Sequence, residues 1–142
     1  MKYMGSKARI AKYLVPIIQG YIDRSTNKRY IEPFVGGANI IDKIQRCHRT
    51  GFDKNEYIIA LFRHLQKGGE LPGEITREEY GKVRAGRYEF DPWHVGCAGF
   101  LASYNGRFFD GGYAGIVHTN TPYMHIDFNI DLSHFNIELQ CA

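Results

Sequence analysis

Apolar residues recur at helical spacing near the start of the chain. Over residues 6–22, basic and apolar positions alternate so that four apolar side chains can line one helix face: Ile10, Leu14, Ile17 and Ile18. The pattern predicts an amphipathic helix. We expect Pro16 to kink or break it, because proline lacks the amide hydrogen that a helix interior needs.

Short apolar runs then alternate with helical patterns. They predict a strand at about residues 30–34, a helix at about 38–49, a second strand ending near residue 53, and a helix over 56–67 that stops at Gly68-Gly69. The order strand, helix, strand, helix opens a doubly wound α/β sheet. We therefore expect an α/β fold built on a partial Rossmann-like sheet of few strands.

Two further segments have weaker patterns. Residues 72–76 form an expected linker, and Thr76 with Glu79 three positions later predicts the capped start of a helix. Residues 120–142 contain one possible strand at 124–130, followed by a run of mixed polar and apolar residues. We expect this tail to belong to the same compact unit as the rest of the chain.

Aromatic residues and glycines dominate residues 76–119, which predict a helical, aromatic-rich segment. Trp93 and Phe100 lie on a helical pattern, so we expect them in the core. Residues 104–107 precede a double glycine and predict an exposed loop. An aromatic ring beside a cation in such a loop can contact bases and phosphates.

The composition is that of a globular protein, with 44% hydrophobic and 23% charged residues among 142. No apolar run approaches the ~20 residues that span a bilayer, and we find no signal peptide, so we expect a cytoplasmic protein without a membrane span. Cys47, Cys97 and Cys141 form no paired framework, and no histidine and cysteine spacing reaches a four-ligand zinc pattern. We expect neither disulfides nor a metal.

The net charge of +3 conceals an asymmetry. Residues 1–30 contain seven basic residues against one acid, Asp23, whereas no lysine or arginine follows Arg107. A basic N-terminal face suits a polyanion such as nucleic acid. The alternative is an ordinary amphipathic helix with solvated lysines and arginines.

The most informative motif spans residues 30–41, where an apolar extended run enters a turn at Gly36-Gly37 and a helical pattern follows. Glycines let the backbone approach a ligand, and the helix N-terminus offers unpaired amides, as in nucleotide-type cofactor sites. The same connection also arises for packing alone. Asp53, at the end of the next strand, can accept hydrogen bonds from ribose hydroxyls. Lys2 and Lys7 can bind a carboxylate or a phosphate.

Four sequence blocks occur in one order: residues 2–7, 31–39, 51–55 and 103–115. Together they resemble the Dam-type (D12 class) DNA adenine-N6 methyltransferases, which use S-adenosylmethionine, over about residues 1–119. The resemblance implies the class I methyltransferase fold. It makes residues 1–71 the cofactor-binding part, residues 72–119 the DNA-recognition part and residues 120–142 a divergent tail.

The resemblance also implies roles for individual residues. In the cofactor site, Tyr3 and Lys7 would flank the methionine end of the cofactor. Phe34, Gly36 and Gly37 would form the turn beneath it, and Asp53 would bind the ribose hydroxyls. Four residues would contact DNA: Lys2, Tyr104, Asn105 and Arg107. We expect S-adenosylmethionine as the cofactor and DNA as a partner.

One block of the resembled family is missing. Its enzymes carry Asp-Pro-Pro-Tyr, which holds the target amino group and stacks on the flipped base, and this string occurs nowhere in the chain. The nearest string, Asn-Thr-Pro-Tyr at residues 120–123, is interpreted as a coincidence, because residues 115–119 still resemble a segment well upstream of the catalytic block. If the chain is active, Asn120 and Tyr123 are the only candidates for these two roles.

We therefore expect a shortened relative of these enzymes that binds S-adenosylmethionine, DNA or both, without methyl transfer by the lone chain. Two alternatives stay open. One is a non-catalytic binding or inhibitor protein that uses the scaffold to engage nucleic acid or a nucleic-acid–protein complex, and the other is one half of a split methyltransferase. We also expect an exposed sheet edge, rebuilt by residues 124–130 or covered by a homodimer or another protein.

Overall fold

A computed structural model describes residues 3–115, 117–118 and 137–141. This part of the chain contains four helices: α1 (Ala8–Arg24), α2 (Glu56–Gln66), α3 (Arg77–Ala85) and α4 (Pro92–Gly96). It also contains five strands: β1 (Arg29–Glu32), β2 (His48–Asp53), β3 (Glu74–Ile75), β4 (Val117–His118) and β5 (Ile137–Cys141). A π-helical turn extends α4 over Cys97–Leu101, and 3-10 turns lie at Arg87–Glu89 and Tyr104–Gly106.

β1, β2 and β5 form a parallel sheet in which β2 is central. Tyr30 lies beside Arg49 across β1 and β2, and Gly51 lies beside Leu139 across β2 and β5. The small parallel sheet with its helices confirms the expected α/β fold. Its third strand comes from the tail, whose expected strand at 124–130 lies outside the described residues.

Local signals start and end the helices where the sequence predicts. Asn55 Oδ1 accepts two backbone amides at the start of α2, and Gly68 follows its end with a φ of 76°. Thr76 Oγ1 accepts the Glu79 amide at the start of α3. The predictions for β1, β2, α2 and the start of α3 are confirmed.

The core of the sheet lies on one face, beneath α2. One buried cluster joins α2, β5 and the turn after β1: Val35, Ala38, Ile41, Ile58, Ile59, Phe62, Phe100 and Leu139. Gly51 has no room for a side chain on this face, since a Cβ there would lie 2.5 Å from Val35 Cγ2 and 2.9 Å from Ile41 Cδ1. The glycine lets the turn after β1 pack directly on β2.

The helix predicted at about 38–49 is wrong, because residues 36–43 form successive turns. Ala38 and Arg46 have positive φ angles of 58° and 57°, which a continuous right-handed helix does not allow. The glycine turn therefore leads into further turns, and the expected helix N-terminus beside it is absent.

A buried arginine explains why these turns replace the helix. The side chain of Arg49 is fully buried, and its Nη1 donates to the carbonyls of Ile41 at 2.9 Å and Ile44 at 2.8 Å. Ile41 packs in the sheet core, whereas Ile40 and Ile44 pack against α1. The isoleucines that suggested one helix face therefore pack into two different clusters, one in the sheet core and one against α1.

Helix α1 continues through Pro16, so the expected break is wrong. Pro16 is exposed, and water can hydrate the carbonyl that lacks an amide partner. The predicted apolar face is also wrong in part. Leu14 and Ile18 pack inward on the turn segment, whereas Ile10 and Ile17 are exposed.

Two expectations for the aromatic-rich segment need correction. Phe100 is buried as predicted, but Trp93 is only half-buried and stacks on His64, with ring centroids 3.8 Å apart. The expected linker at 72–76 contains β3, whose fully buried Ile75 lies in an antiparallel pair with β4. A two-residue strand is too short to show an alternating pattern in the sequence.

Candidate functional site

The N-terminal loop and the turn after β1 enclose a cavity of about 240 Å³ at the carboxyl end of β1 and β2. All six residues predicted to bind the cofactor line it: Tyr3, Lys7, Phe34, Gly36, Gly37 and Asp53. Five other residues complete the lining: Gly5, Ser6, Val35, Asn39 and Lys54. Ligands of open α/β sheets bind at this end of the strands. We call this space the first cavity.

Asp53 holds the glycine turn from the end of β2. Its Oδ2 accepts the Gly36 amide at 2.8 Å, and its Oδ1 accepts the Asn55 amide at 2.9 Å. The side chain is buried but lines the first cavity. Since a carboxylate oxygen can accept two hydrogen bonds, each oxygen can take one more from a ligand.

Gly36 lies against the ring of Tyr3. Its φ is 50°, and a Cβ there would lie 2.9 Å from Tyr3 Cε1. The Tyr3 ring also stacks on Phe100, with centroids 5.5 Å apart. Burial, and then the charge of Asp53, raise the pKa of the Tyr3 phenol above its ordinary value.

Lys7 is fixed at the wall of the first cavity by two acceptors. Its Nζ donates to the Phe34 carbonyl at 2.7 Å and pairs with Glu32 Oε1 at 3.1 Å. Burial raises the pKa of the Glu32 carboxyl, and Lys7 opposes that rise. An ammonium has three donors, so one more can reach a ligand in the cavity.

The sequence did not single out two features of this site. Glu32 is a buried partner of Lys7, and Asn39 Nδ2 donates to Ser6 Oγ at 2.9 Å on the cavity wall. A signal for Glu32 was present, since an acid inside an apolar strand needs a partner when it is buried. Nothing local in the sequence pointed to the contact between Asn39 and Ser6.

A second cavity of about 400 Å³ shares the Tyr3 wall. Three arginines from separate elements line it: Arg84 in α3, Arg87 in the following 3-10 turn and Arg107 after the next one. Asp110 is the one carboxylate among its lining residues. Of these three arginines, only Arg107 was predicted from the sequence. A signal for the other two was present, since residues 80–88 contain Lys82, Arg84 and Arg87 and no acid.

The structure describes three of the four predicted DNA-contacting residues, and one of them lines this second cavity. Arg107 lines it, while Tyr104 and Asn105 are exposed in the preceding 3-10 turn, where Asn105 has a φ of 54°. The loop is anchored by buried Phe109, whose amide donates to Ser103 Oγ at 2.9 Å. Three predicted site residues lie outside the described residues: Lys2, Asn120 and Tyr123.

The sequence profile of the D12 class N6 adenine-specific DNA methyltransferases matches residues 3–90. The match contains every residue of the first cavity and covers more than half of the 142 residues. The chain belongs to the D12 class of N6 adenine-specific DNA methyltransferases. A comparison with curated protein sequences gives no match.

Membership in the D12 class accounts for the fold, since the class I methyltransferase fold is α/β and the structure has a parallel sheet with a glycine turn after β1. The match includes Arg84 and Arg87 and ends before Arg107. Within the described part of this D12 chain, no helix is long and apolar enough to cross a membrane. The same residues contain no group of three side chains that could hold a metal ion.

Proposed function

We propose that this D12-class chain binds S-adenosylmethionine in the first cavity and DNA beside it, without transferring methyl groups as a lone chain. The observation that carries the proposal is the convergence of the six predicted cofactor residues on one cavity. They come from three separate sequence blocks, and the matched part of the chain contains all of them.

Three parts of S-adenosylmethionine find a suitable group in the first cavity: the ribose, the carboxylate and the sulfonium. Asp53 can accept a ribose hydroxyl, as acids at this strand position do in nucleotide sites. The remaining donor of Lys7 can bind the carboxylate of the methionine end. The positive sulfonium is attracted to aromatic ring faces, which Tyr3 and the exposed Phe34 provide.

The second cavity supports the DNA part of the proposal. Arg84, Arg87 and Arg107 present guanidinium groups, which bind phosphates with two parallel hydrogen bonds. The cavity adjoins the first one at Tyr3, so a DNA strand bound there would lie next to the cofactor.

Methyl transfer requires more than binding of the cofactor and the DNA. The amino nitrogen of adenine forms a bond to the methyl carbon while the bond from carbon to sulfur breaks, and the nitrogen must then lose a proton. An acceptor for the amine and an aromatic platform for the extruded base are needed together. The chain has no Asp-Pro-Pro-Tyr, so we propose that Asn120 and Tyr123 do not supply them.

Calorimetric titration with S-adenosylmethionine, and separately with its demethylated product, tests the cofactor part. We expect binding by the wild-type chain, weakened in Asp53→Ala by about 1–3 kcal/mol, the range for losing a buried hydrogen-bond partner. Asp91→Ala is the control, because Asp91 is exposed before α4 and does not line the first cavity. A folded wild-type sample that gives no heat at millimolar ligand would remove the cofactor from the proposal.

A further inference from the structure

Helix α1 has a second apolar face, which points into solvent. Four large side chains there are 48%, 62%, 59% and 69% exposed: Ile10, Tyr13, Ile17 and Tyr21. Their spacing of three, four and four residues places them in one stripe, about 17 Å long at 1.5 Å per residue. We call these four residues the α1 stripe. The other face is already buried through Ala11 and Ile22, and a helix that is apolar on both faces needs cover on both.

The sequence of aliphatic and aromatic side chains along the α1 stripe fits a second copy of the stripe that runs in the opposite direction. If two copies of α1 lie antiparallel, with a two-fold axis near residue 15, Ile10 of one copy meets Tyr21 of the other, and Tyr13 meets Ile17. Every layer then packs an aliphatic side chain against an aromatic ring. A parallel pair would instead place tyrosine on tyrosine and isoleucine on isoleucine. A patch that fits itself in this way is what a two-fold symmetric interface requires.

The cations beside the α1 stripe favour the antiparallel order over the parallel one. Lys12 and Arg24 each lie over a tyrosine ring of their own chain, 4.8 Å and 5.2 Å from the centroid. A parallel order would set Arg24 beside Arg24, whereas the antiparallel order puts the two Arg24 side chains at opposite ends of the seam. Asp23 takes no part in the seam, because its carboxylate already accepts from Gln19 Nε2 and pairs with Arg46 at 2.6 Å.

We propose that the chain forms an antiparallel homodimer through the α1 stripe. This surface differs from the edge of β1, where Ile31 is 61% exposed. A standard interface buries about 800 Å² on each partner, and four side chains supply only part of that area. The dimer is therefore expected to dissociate on dilution. Because the seam is apolar, high salt should not dissociate it.

Sedimentation velocity of the full chain over a micromolar concentration series tests the dimer. The mass should rise from 16.3 kDa towards twice that value, and Ile17→Glu should stay at 16.3 kDa at every concentration. Ile31→Glu is a matched control, because it makes the same change at a residue that is 61% exposed, against 59% for Ile17. It should leave the association unchanged. Both sites are exposed, so circular dichroism should show the native helix content in both variants.

The single-chain mass at the highest concentration would overturn the proposal, and so would a dimer that survives Ile17→Glu. A dimer lost only in Ile31→Glu would place the interface at the sheet edge instead. The orientation is tested by mixing Tyr13→Cys chains with Ile17→Cys chains, each with Cys47 and Cys141 replaced by serine. Disulfides between the two variants are expected. Disulfides that form only within each variant would contradict the antiparallel order.

Discussion

Gly36 meets two constraints that other residue types cannot meet together. Its φ of 50° is left-handed, and a Cβ would lie 2.9 Å from the Tyr3 ring. The left-handed conformation alone costs a non-glycine residue about 1–2 kcal/mol. We therefore expect Gly36→Ala to lower the free energy of unfolding by at least that amount and to weaken cofactor binding, because Tyr3 and Gly36 share one cavity wall. Denaturant unfolding and calorimetry measure the two effects.

Gly81→Ala provides the control with the opposite sign. Gly81 lies within α3, and a Cβ there would meet nothing within 4 Å. Alanine in a helix interior is more favourable than glycine by roughly 0.5–1 kcal/mol, so this variant should be more stable and bind the cofactor normally. If Gly36→Ala behaved like Gly81→Ala, the tight contact between the turn and Tyr3 would not exist in solution.

Some residues of the site could be predicted from the sequence, and some of their contacts could not. The six residues predicted to bind the cofactor could be named because the blocks that contain them resemble a family in order and spacing, and they do line one cavity. Glu32 carried the signal of an acid that needs a partner when it is buried, but the sequence did not identify that partner as Lys7. Its ion pair with Glu32 depends on how α1 lies against β1, and that packing is not encoded in either block alone.

Strand β5 is the element that the sequence left open. Leu139 is 4% exposed and packs in the sheet core beside Gly51. Replacing a buried leucine by alanine typically costs 2–5 kcal/mol, so Leu139→Ala should lower the free energy of unfolding by an amount in that range. Chemical denaturation with a two-state analysis measures the change.

Gln140→Ala is the matched control for β5. Gln140 is the next residue in the strand and is exposed, so its truncation should change stability by less than about 0.5 kcal/mol. Equal, small effects of both substitutions would mean that the tail does not pack on β2. A large effect of Leu139→Ala alone would show that the tail completes the core of this D12 chain.

The elements that could be predicted are those with strong local signals. Helix α2 has a capping asparagine, a clear apolar face and a terminal glycine, and it lies where expected. The prediction of a helix at 38–49 was wrong for two reasons. The isoleucines of this segment pack into two clusters, the sheet core and the cluster against α1, and buried Arg49 binds the carbonyls of Ile41 and Ile44. β5 could not be predicted, since pairing with β2 depends on residues far away in the sequence.

For the whole molecule, DNA binding should depend strongly on salt. Each lost phosphate contact lowers the slope of log K against log salt by about 0.9 for duplex DNA. Arg107→Gln should lower the slope by about that amount, and Arg84→Gln combined with Arg87→Gln by about twice as much. Fluorescence anisotropy of a labelled duplex between low and physiological salt measures these slopes.

Arg77→Gln is the appropriate control for the salt experiment. Arg77 is exposed at the start of α3, over the Tyr113 ring at 5.1 Å, and it does not line the second cavity. Arg63 in α2 is less suitable as a control, because it donates to the Leu139 carbonyl and ties α2 to β5. Wild-type binding that is absent, or flat with salt, would contradict the DNA part of the proposal. If every arginine variant kept the wild-type slope of log K against log salt, the DNA site would lie outside the second cavity.

We propose that cofactor binding and methyl transfer are separate in this chain. One measurement follows both: the chain is incubated with S-adenosylmethionine tritiated on the methyl group and an adenine-rich duplex, and the label is counted on protein and DNA. We predict label that the folded protein binds and releases on chase, with none incorporated into DNA. Label that enters the DNA, and is lost in Asn120→Ala and Tyr123→Ala, would contradict the account, as would a folded protein that retains no label at all.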